Sequence, residues 1–233
     1  MKSLWFLLLG MVLAKAAIAA PQHEACHPRL AVGSICEAQL ADLHPTQFGV
    51  GLLEVAQTKL ELTRKKPTDV RRTVLKKRIA VVIGPDGTLW LVDRHHLSRA
   101  LWDMGERQAP VHIVGKVEHA DRFWQVMSDS HWAWLFDERG NPRDAANLPA
   151  HIEDLPDFGY RSLAGFAEDE NMFDKPSRVY FIEFAWARYF GEQLGWAEVT
   201  AETVRQRLED ARRLACLPAA ASLPGYPGRV CKK

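Results

Sequence analysis

The stretch Ile79-Ala-Val-Val-Ile83-Gly84-Pro85-Asp86-Gly87-Thr88-Leu89-Trp-Leu-Val92-Asp93-Arg94-His95-His96-Leu97-Ser98-Arg99-Ala100-Leu101 reads as two strands and a helix. Ile79 to Ile83 and Leu89 to Val92 are rich in β-branched and aromatic residues, and the four residues Gly84 to Gly87 have the chemistry of a tight reversal. The two runs are expected to form a β-hairpin. Asp93 is a good N-cap, and Leu97, Ala100 and Leu101 follow at the i, i+3, i+4 spacing of a buried helix face. Asp93, His95, His96 and Arg99 would then crowd one strand-to-helix junction. A helix N-terminus attracts phosphate or another anion, and imidazoles placed there move protons near neutral pH. Simple capping with exposed histidines accounts for the same residues equally well.

Working outward, Leu52, Val55, Leu60 and Leu62 predict a helix over Val50 to Arg64, and Thr68 can cap a second in which Val70, Val74 and Leu75 face inward. Val111 to Val117 alternates as a third strand of the hairpin's sheet. Short helices are expected at Ala120 to Met127 and Pro149 to Leu155, with a turn at Asp137 to Pro142 between them. Tyr180 to Phe190 reads as an aromatic-rich helix. Thr200 can cap another, with Val204, Leu208, Ala211 and Leu214 on one side, before a Pro/Gly-rich tail from Pro218 to Gly228. The fold class is therefore α+β: a small mixed sheet, a hairpin leading into a helix, and a mainly helical C-terminal half. Pro21 to Ala41 reads as an irregular appendage.

Lys2, the apolar run Leu4 to Leu13 and the small residues Ala14 to Ala20 have the form of a cleavable signal peptide with an Ala-x-Ala site at Ala17-Ile18-Ala19. No later run is long enough to span a membrane, so the expected location is periplasmic or secreted. Removing residues 1–20, which hold Lys2 and Lys15, leaves 28 basic against 29 acidic groups, so overall charge supplies no case for nucleic acid. Cys26 and Cys36 precede the patterned region and Cys216 and Cys231 follow it. In an oxidising compartment two disulfides are expected; four cysteines permit three pairings, of which the local one, 26 with 36 and 216 with 231, is favoured here.

Val92-Asp-Arg-His-His-Leu-Ser-Arg-Ala-Leu101 resembles the signature of the ParB-like nuclease family, within the ParB/sulfiredoxin superfamily. Asp42-Leu-His-Pro-Thr-Gln47 with Val50-Gly51 and Glu54-Val55 resembles its opening block. Trp132-Ala-Trp-Leu-Phe-Asp137, Leu155 to Gly165 and Glu183-Phe-Ala-Trp-Ala187 resemble its later ones. The likeness runs from about Asp42 to Phe190. It implies a ParB/sulfiredoxin-like core over 42–120 with a helical extension of the same domain over 121–198, flanked by the leader 1–20, the cysteine-containing segment 21–41 and the C-terminal helix and tail 199–233. It also implies a fold that handles nucleotides or phosphates. Arg94 departs from the pattern, standing where the family often has the first of three histidines.

The candidate catalytic residues are His95, His96, Asp93 and Glu54, and the candidate phosphate holders are Arg94, Arg99, Ser98, Gln47 and Arg161. Glu54 and Gln47 enter through the opening block, although an exposed helical Glu or a turn-binding Gln needs no such role. Lys65, Lys66, Arg71, Arg72, Lys76 and Lys77 form a local basic run that could bring a polyanion to the junction or simply be a solvated helix face. A divalent metal with a bound water would serve a phosphodiester hydrolase. Adjacent histidines diverge by about 100° on a helix, which favours a metal-free route in which one histidine is the acid or base. His112, His119 and His131, and the aromatics Phe123, Trp124, Trp132, Trp134, Phe136, Trp186 and Trp196, read as packing. Two functions follow: an exported phosphodiesterase or nuclease centred on Asp93 to Arg99, or a non-catalytic module of the envelope that binds a phosphate, a polyanion or a protein. ATP and CTP are not maintained outside the cytoplasmic membrane, which disfavours a kinase.

Overall fold

Five strands form one mixed sheet in the computed structural model, which describes residues 22–176 and 180–228. They are β1 (Ile35–Gln39), β2 (Leu43–Pro45), β3 (Ile79–Ile83), β4 (Leu89–Asp93) and β5 (Gln108–Lys116), in the spatial order β1-β5-β3-β4-β2. The expected hairpin is the antiparallel pair β3–β4, and β5 lies parallel to β3. The helices are α1 (Leu52–Thr63), α2 (Pro67–Lys77), α3 (His95–Asp103), α4 (Phe123–Asp129), α5 (Gly159–Asp169), α6 (Ile182–Gln193) and α7 (Val204–Ala215). Among the described residues no helix is long and apolar enough to cross a membrane.

The near-continuous apolar run of β3 reflects burial on both faces: Ile79, Val81, Val82 and Ile83 are all buried. One core joins the sheet to α2 and α3 through Val70, Val74, Leu97 and Leu101. A second is mainly helical, with Leu163, Ala164 and Ala167 of α5 against Ile182, Trp186 and Phe190 of α6 and Ala211 and Ala215 of α7. Helix α1 packs on both α3 and α5 and so links the two halves. The cleft described below lies where they meet.

Four local expectations need correction. The segment taken as an irregular appendage supplies β1, an edge strand whose Cys36 and Ala38 pair with Val111 and Ala109 of β5 and belong to the sheet core. Its composition, Ile-Cys-Glu-Ala-Gln, is poor in strand formers, and tertiary pairing overrides that preference. Helix α2 starts at Pro67, whose missing N–H costs nothing at the first position, rather than behind a Thr68 cap. Pro149 to Leu155 holds only a single 3-10 turn, Ile152–Asp154. Helix α5 was not foreseen at all, because two glycines and a serine dilute its helical signal.

The Cys26–Cys36 disulfide forms, and an isolated bridge between Ala25 and Glu37 lays the preceding chain along the outer side of β1. No cysteine is free among the described residues, Cys216 included; its expected partner Cys231 lies outside them, as does the leader 1–20. At the opposite edge β2 is three residues long and ends in Pro45, with the Trp134 N–H donating to the Thr46 carbonyl just beyond it at 2.9 Å.

Candidate active site

The β4–α3 junction is built differently from a capped helix. Asp93 is the last strand residue, and Arg94 occupies the N-cap position in the left-handed region at φ +69°, with no side-chain cap. The Asp93 carboxylate accepts the Arg94 N–H at 2.7 Å, and Arg94 Nε donates to the Lys77 carbonyl at the end of α2 at 2.8 Å. This tight turn leaves Asp93 and Arg94 at the surface and directs His95 inward.

His95 is buried, and its Nε2 accepts the Thr46 N–H at 3.3 Å. Burial, with lesser repulsion from His96 and Arg161, outweighs a hydrogen bond to Leu91 and pushes its imidazole down to about 3. It is therefore neutral across the physiological range and joins β4 to the chain leaving β2.

His96 faces the cleft. Its Nε2 lies 3.1 Å from a Glu54 carboxylate oxygen and 3.1 Å from the Gly51 N–H. The first contact needs a proton on that nitrogen and the second a lone pair, so only one is served at a time. Burial alone would raise the Glu54 pKa, but Arg161 and His96 outweigh it and hold the carboxyl below its ordinary range. Glu54 is thus an anion, and its contact with His96 is a hydrogen bond only when the proton sits on Nε2.

The opposite wall is a chain of ion pairs on α5 and α6. Arg161 Nη1 donates to Glu54 at 2.8 Å, Nη2 lies 3.8 Å from Glu183, and the guanidinium covers the Phe184 ring at 5.4 Å. Lys175 pairs with Glu183 and reaches Glu168 at 3.2 Å. Burial acts against the Glu183 charge, yet Arg161 and Lys175 bring its pKa down to about 2; Glu168 is pushed up by burial and by Glu183 beside it. Gly165 lets the helices approach, since a Cβ there would sit 2.3 Å from the Glu54 carboxyl.

These two walls enclose a polar cleft of about 630 Å³. Six carboxylates line it (Glu54, Glu61, Asp93, Glu168, Asp169, Glu183) against Lys77, Arg94, Arg161 and Lys175. Arg161 and Lys175 are engaged by Glu54, Glu183 and Glu168, whereas Lys77 and Arg94 are exposed at the mouth, with Arg94 Nε 3.5 Å from the Asp93 carboxylate. Gln47 also lines the cleft while donating to the Gly49 carbonyl at 2.7 Å.

Three sequence candidates lie elsewhere. Arg99 donates to the carbonyls of Ile152 and Leu155 at 3.3 and 3.1 Å and to Asp103 at 3.0 Å, tying a turn to α3 instead of facing a phosphate. Ser98 is completely buried, on the inner face of α3. Arg71 leaves the basic run altogether, because it is buried in an ion pair with Glu37 of β1. Lys65, Lys66, Arg72 and Lys76 are exposed, with Arg72 3.0 Å from Asp69, and Lys77 is the member of the run that reaches the cleft.

Sequence reasoning missed Glu183, Lys175, Glu168, Asp169, Glu61 and Tyr180, and assigned His131 to packing although it lines the cleft. One signal for Glu183 was present, a carboxylate on the buried stripe of an aromatic helix, where a charge must be paired. Among the described residues no three His, Cys, Asp or Glu side chains are grouped closely enough to hold a metal ion.

The fold and its junction define a ParB-like α+β domain. The family model described as "Putative ParB-like nuclease" matches residues 36–192, and the chain belongs to that family. It is similar to protein Atu1540 from Agrobacterium tumefaciens, known from a crystal structure, with a TM-score of 0.75 and 28% identity over 85% of this chain and 99% of that one. No curated protein matches it.

Proposed function

We propose that the cleft hydrolyses phosphodiester bonds, with His96 as its acid–base group and Glu54 as the residue that orients it. The observation that carries this reading is the 3.1 Å contact between His96 Nε2 and a partly buried, ionised Glu54, which would hold one imidazole tautomer as carboxylates do in other acid–base pairs. Lys77 and Arg94 at the mouth would hold the non-bridging phosphate oxygens. Water then adds to phosphorus as the bond to the leaving oxygen breaks. His96 Nδ1 takes the water's proton and returns one to the leaving oxygen. His95 positions the turn and takes no proton. The exposed Lys65, Lys66, Arg72 and Lys76 lead a polyanion toward Lys77.

Export is part of the same proposal: the leader-like residues 1–20 and the Cys26–Cys36 bridge support an oxidising compartment. N-terminal sequencing of protein recovered from the cell envelope checks it.

The test is cleavage of single- and double-stranded DNA and RNA, with EDTA and with added divalent ions, by the oxidised protein and its His96→Ala variant. Loss of at least about a hundredfold in turnover is expected for the variant. No cleavage by the wild type under any condition would overturn the reading. A second reading, a binding module without catalysis, is favoured by Arg94, which stands at a family histidine position and is held on the Lys77 carbonyl.

A further inference from the structure

The cleft has a second surface that the ion-pair network does not use. His131 and Tyr180 stack with ring centroids 4.4 Å apart and an interplanar angle of 14°. Both line the same cleft as Lys77 and Arg94. Elsewhere a stack of this kind is core packing: Phe173 on Trp186, at 4.5 Å and 6°, lies between buried rings. The His131–Tyr180 stack is not. Tyr180 remains 57% exposed with one face already covered by His131, so its other side is open to solvent.

The neighbourhood strengthens the contrast. Among the described residues five large hydrophobic side chains are markedly exposed, and two of them, Tyr180 and Val114, line this one cleft. Trp132 forms part of its floor, lying so close on β5 that a Cβ at Gly115 would meet the indole at 2.4 Å. The rim is also held in unfavourable backbone geometry: His131 and Phe181 adopt φ +57° and +55°, which residues with a Cβ seldom do. Exposed aromatic area, a flat floor and two such residues at one edge of a charged cleft make a poor account of packing and a good account of ligand contact.

A ligand that fits both surfaces carries an anion for Lys77 and Arg94 and a flat π-system for the rim. We propose that the rim is a nucleobase subsite, and that the cleft takes a nucleic acid strand that is single-stranded where it binds. The proposal rests on the phosphodiesterase reading for the phosphate half of the site. In a duplex the bases are paired and stacked on one another, so an edge-mounted ring cannot reach a base face unless the nucleotide is unpaired. The volume of about 630 Å³ lies within the roughly 300–1,000 Å³ typical of small-molecule sites, enough for a nucleotide but narrow for a double helix.

The experiment measures binding by fluorescence anisotropy at one salt concentration, using a short labelled thymidine strand, an abasic strand of equal length and a blunt duplex. The strand with bases is expected to bind about tenfold or more tightly than the abasic strand, because each stacked base adds affinity that phosphate alone does not. Tyr180→Ala should erase that difference and leave abasic binding unchanged, while Tyr180→Phe should retain it. Equal affinity of the wild type for the two strands, or a preference that survives in Tyr180→Ala, overturns the proposal. Base-dependent binding without any cleavage would keep this subsite and remove the hydrolytic reading. Cleavage without base dependence would do the reverse.

Discussion

The two walls of the cleft are made by opposite means. On the β4–α3 side, position comes from backbone: a left-handed Arg94 turns the chain, and a neutral, buried His95 fixes the turn to Thr46. On the α5–α6 side it comes from charge: Glu54, Arg161, Glu183, Lys175 and Glu168 succeed one another with alternating sign. A wall set by backbone is specified by a few consecutive residues. A wall set by charge depends on partners far apart in the chain, and a central member such as Arg161 is costly to lose because both of its carboxylate partners are largely shielded from water.

That contrast is most directly broken at Arg161. Arg161→Ala leaves Glu54 and Glu183 without their shared cation, and a loss of about 3–5 kcal/mol in denaturant unfolding is expected. A loss below about 1 kcal/mol, the range of an exposed ion pair, would show that the charged wall contributes little to the fold. His95 sharpens the other side. Its folded pKa, about 3, lies below its unfolded value near 6.5, so below pH 6.5 the unfolded chain gains a proton that the folded chain refuses. His95 alone should therefore lower stability by about 2 kcal/mol between pH 6.5 and 4.5, with carboxylate titration adding its own contribution toward the lower end. In His95→Asn this slope should flatten. His44 and His112, also held down by burial, act in wild type and variant alike. An unchanged slope in the variant would remove His95 as its source.

A smaller effect on stability than at Arg161 is expected at Gly165, where a methyl group must displace the Glu54 carboxyl. Gly165→Ala should cost about 1–3 kcal/mol, yet lower turnover as far as Glu54→Gln does. Full activity in Gly165→Ala would mean that Glu54 can move without consequence for His96.

The same division governs how much could be read in advance. The hairpin, α3 and the presence of His96 at their junction were legible, because each is encoded within a few consecutive residues. Even there the detail differed: an aspartate after a strand suggests a cap, whereas here it accepts the next N–H and Arg94 makes the turn. The charged wall was largely illegible. Arg161 and Glu54 are 107 residues apart, and Arg71 and Glu37 are separated by 34. No local periodicity reports such pairs. Arg71 looked like part of a solvated basic face because nothing in α2 shows that β1 places a glutamate beneath it. Glu54 and Arg161 were found through the family's blocks, and Glu183, quoted in the same way, was passed over because its neighbours are aromatic.

The two edges of the sheet bear on how the protein behaves in company. A strand edge with unpaired amides invites another chain to add to it, which is the usual route to β-aggregation. Here β1 has residue 25 bridged against its outer side and a disulfide binding that segment down, while β2 offers only three residues ending in a proline, with Trp134 bonded just past it. Neither edge presents a long, flat template. A chain that has to complete its fold in crowded surroundings gains from this, since its exposed margins give a second copy little to grow on.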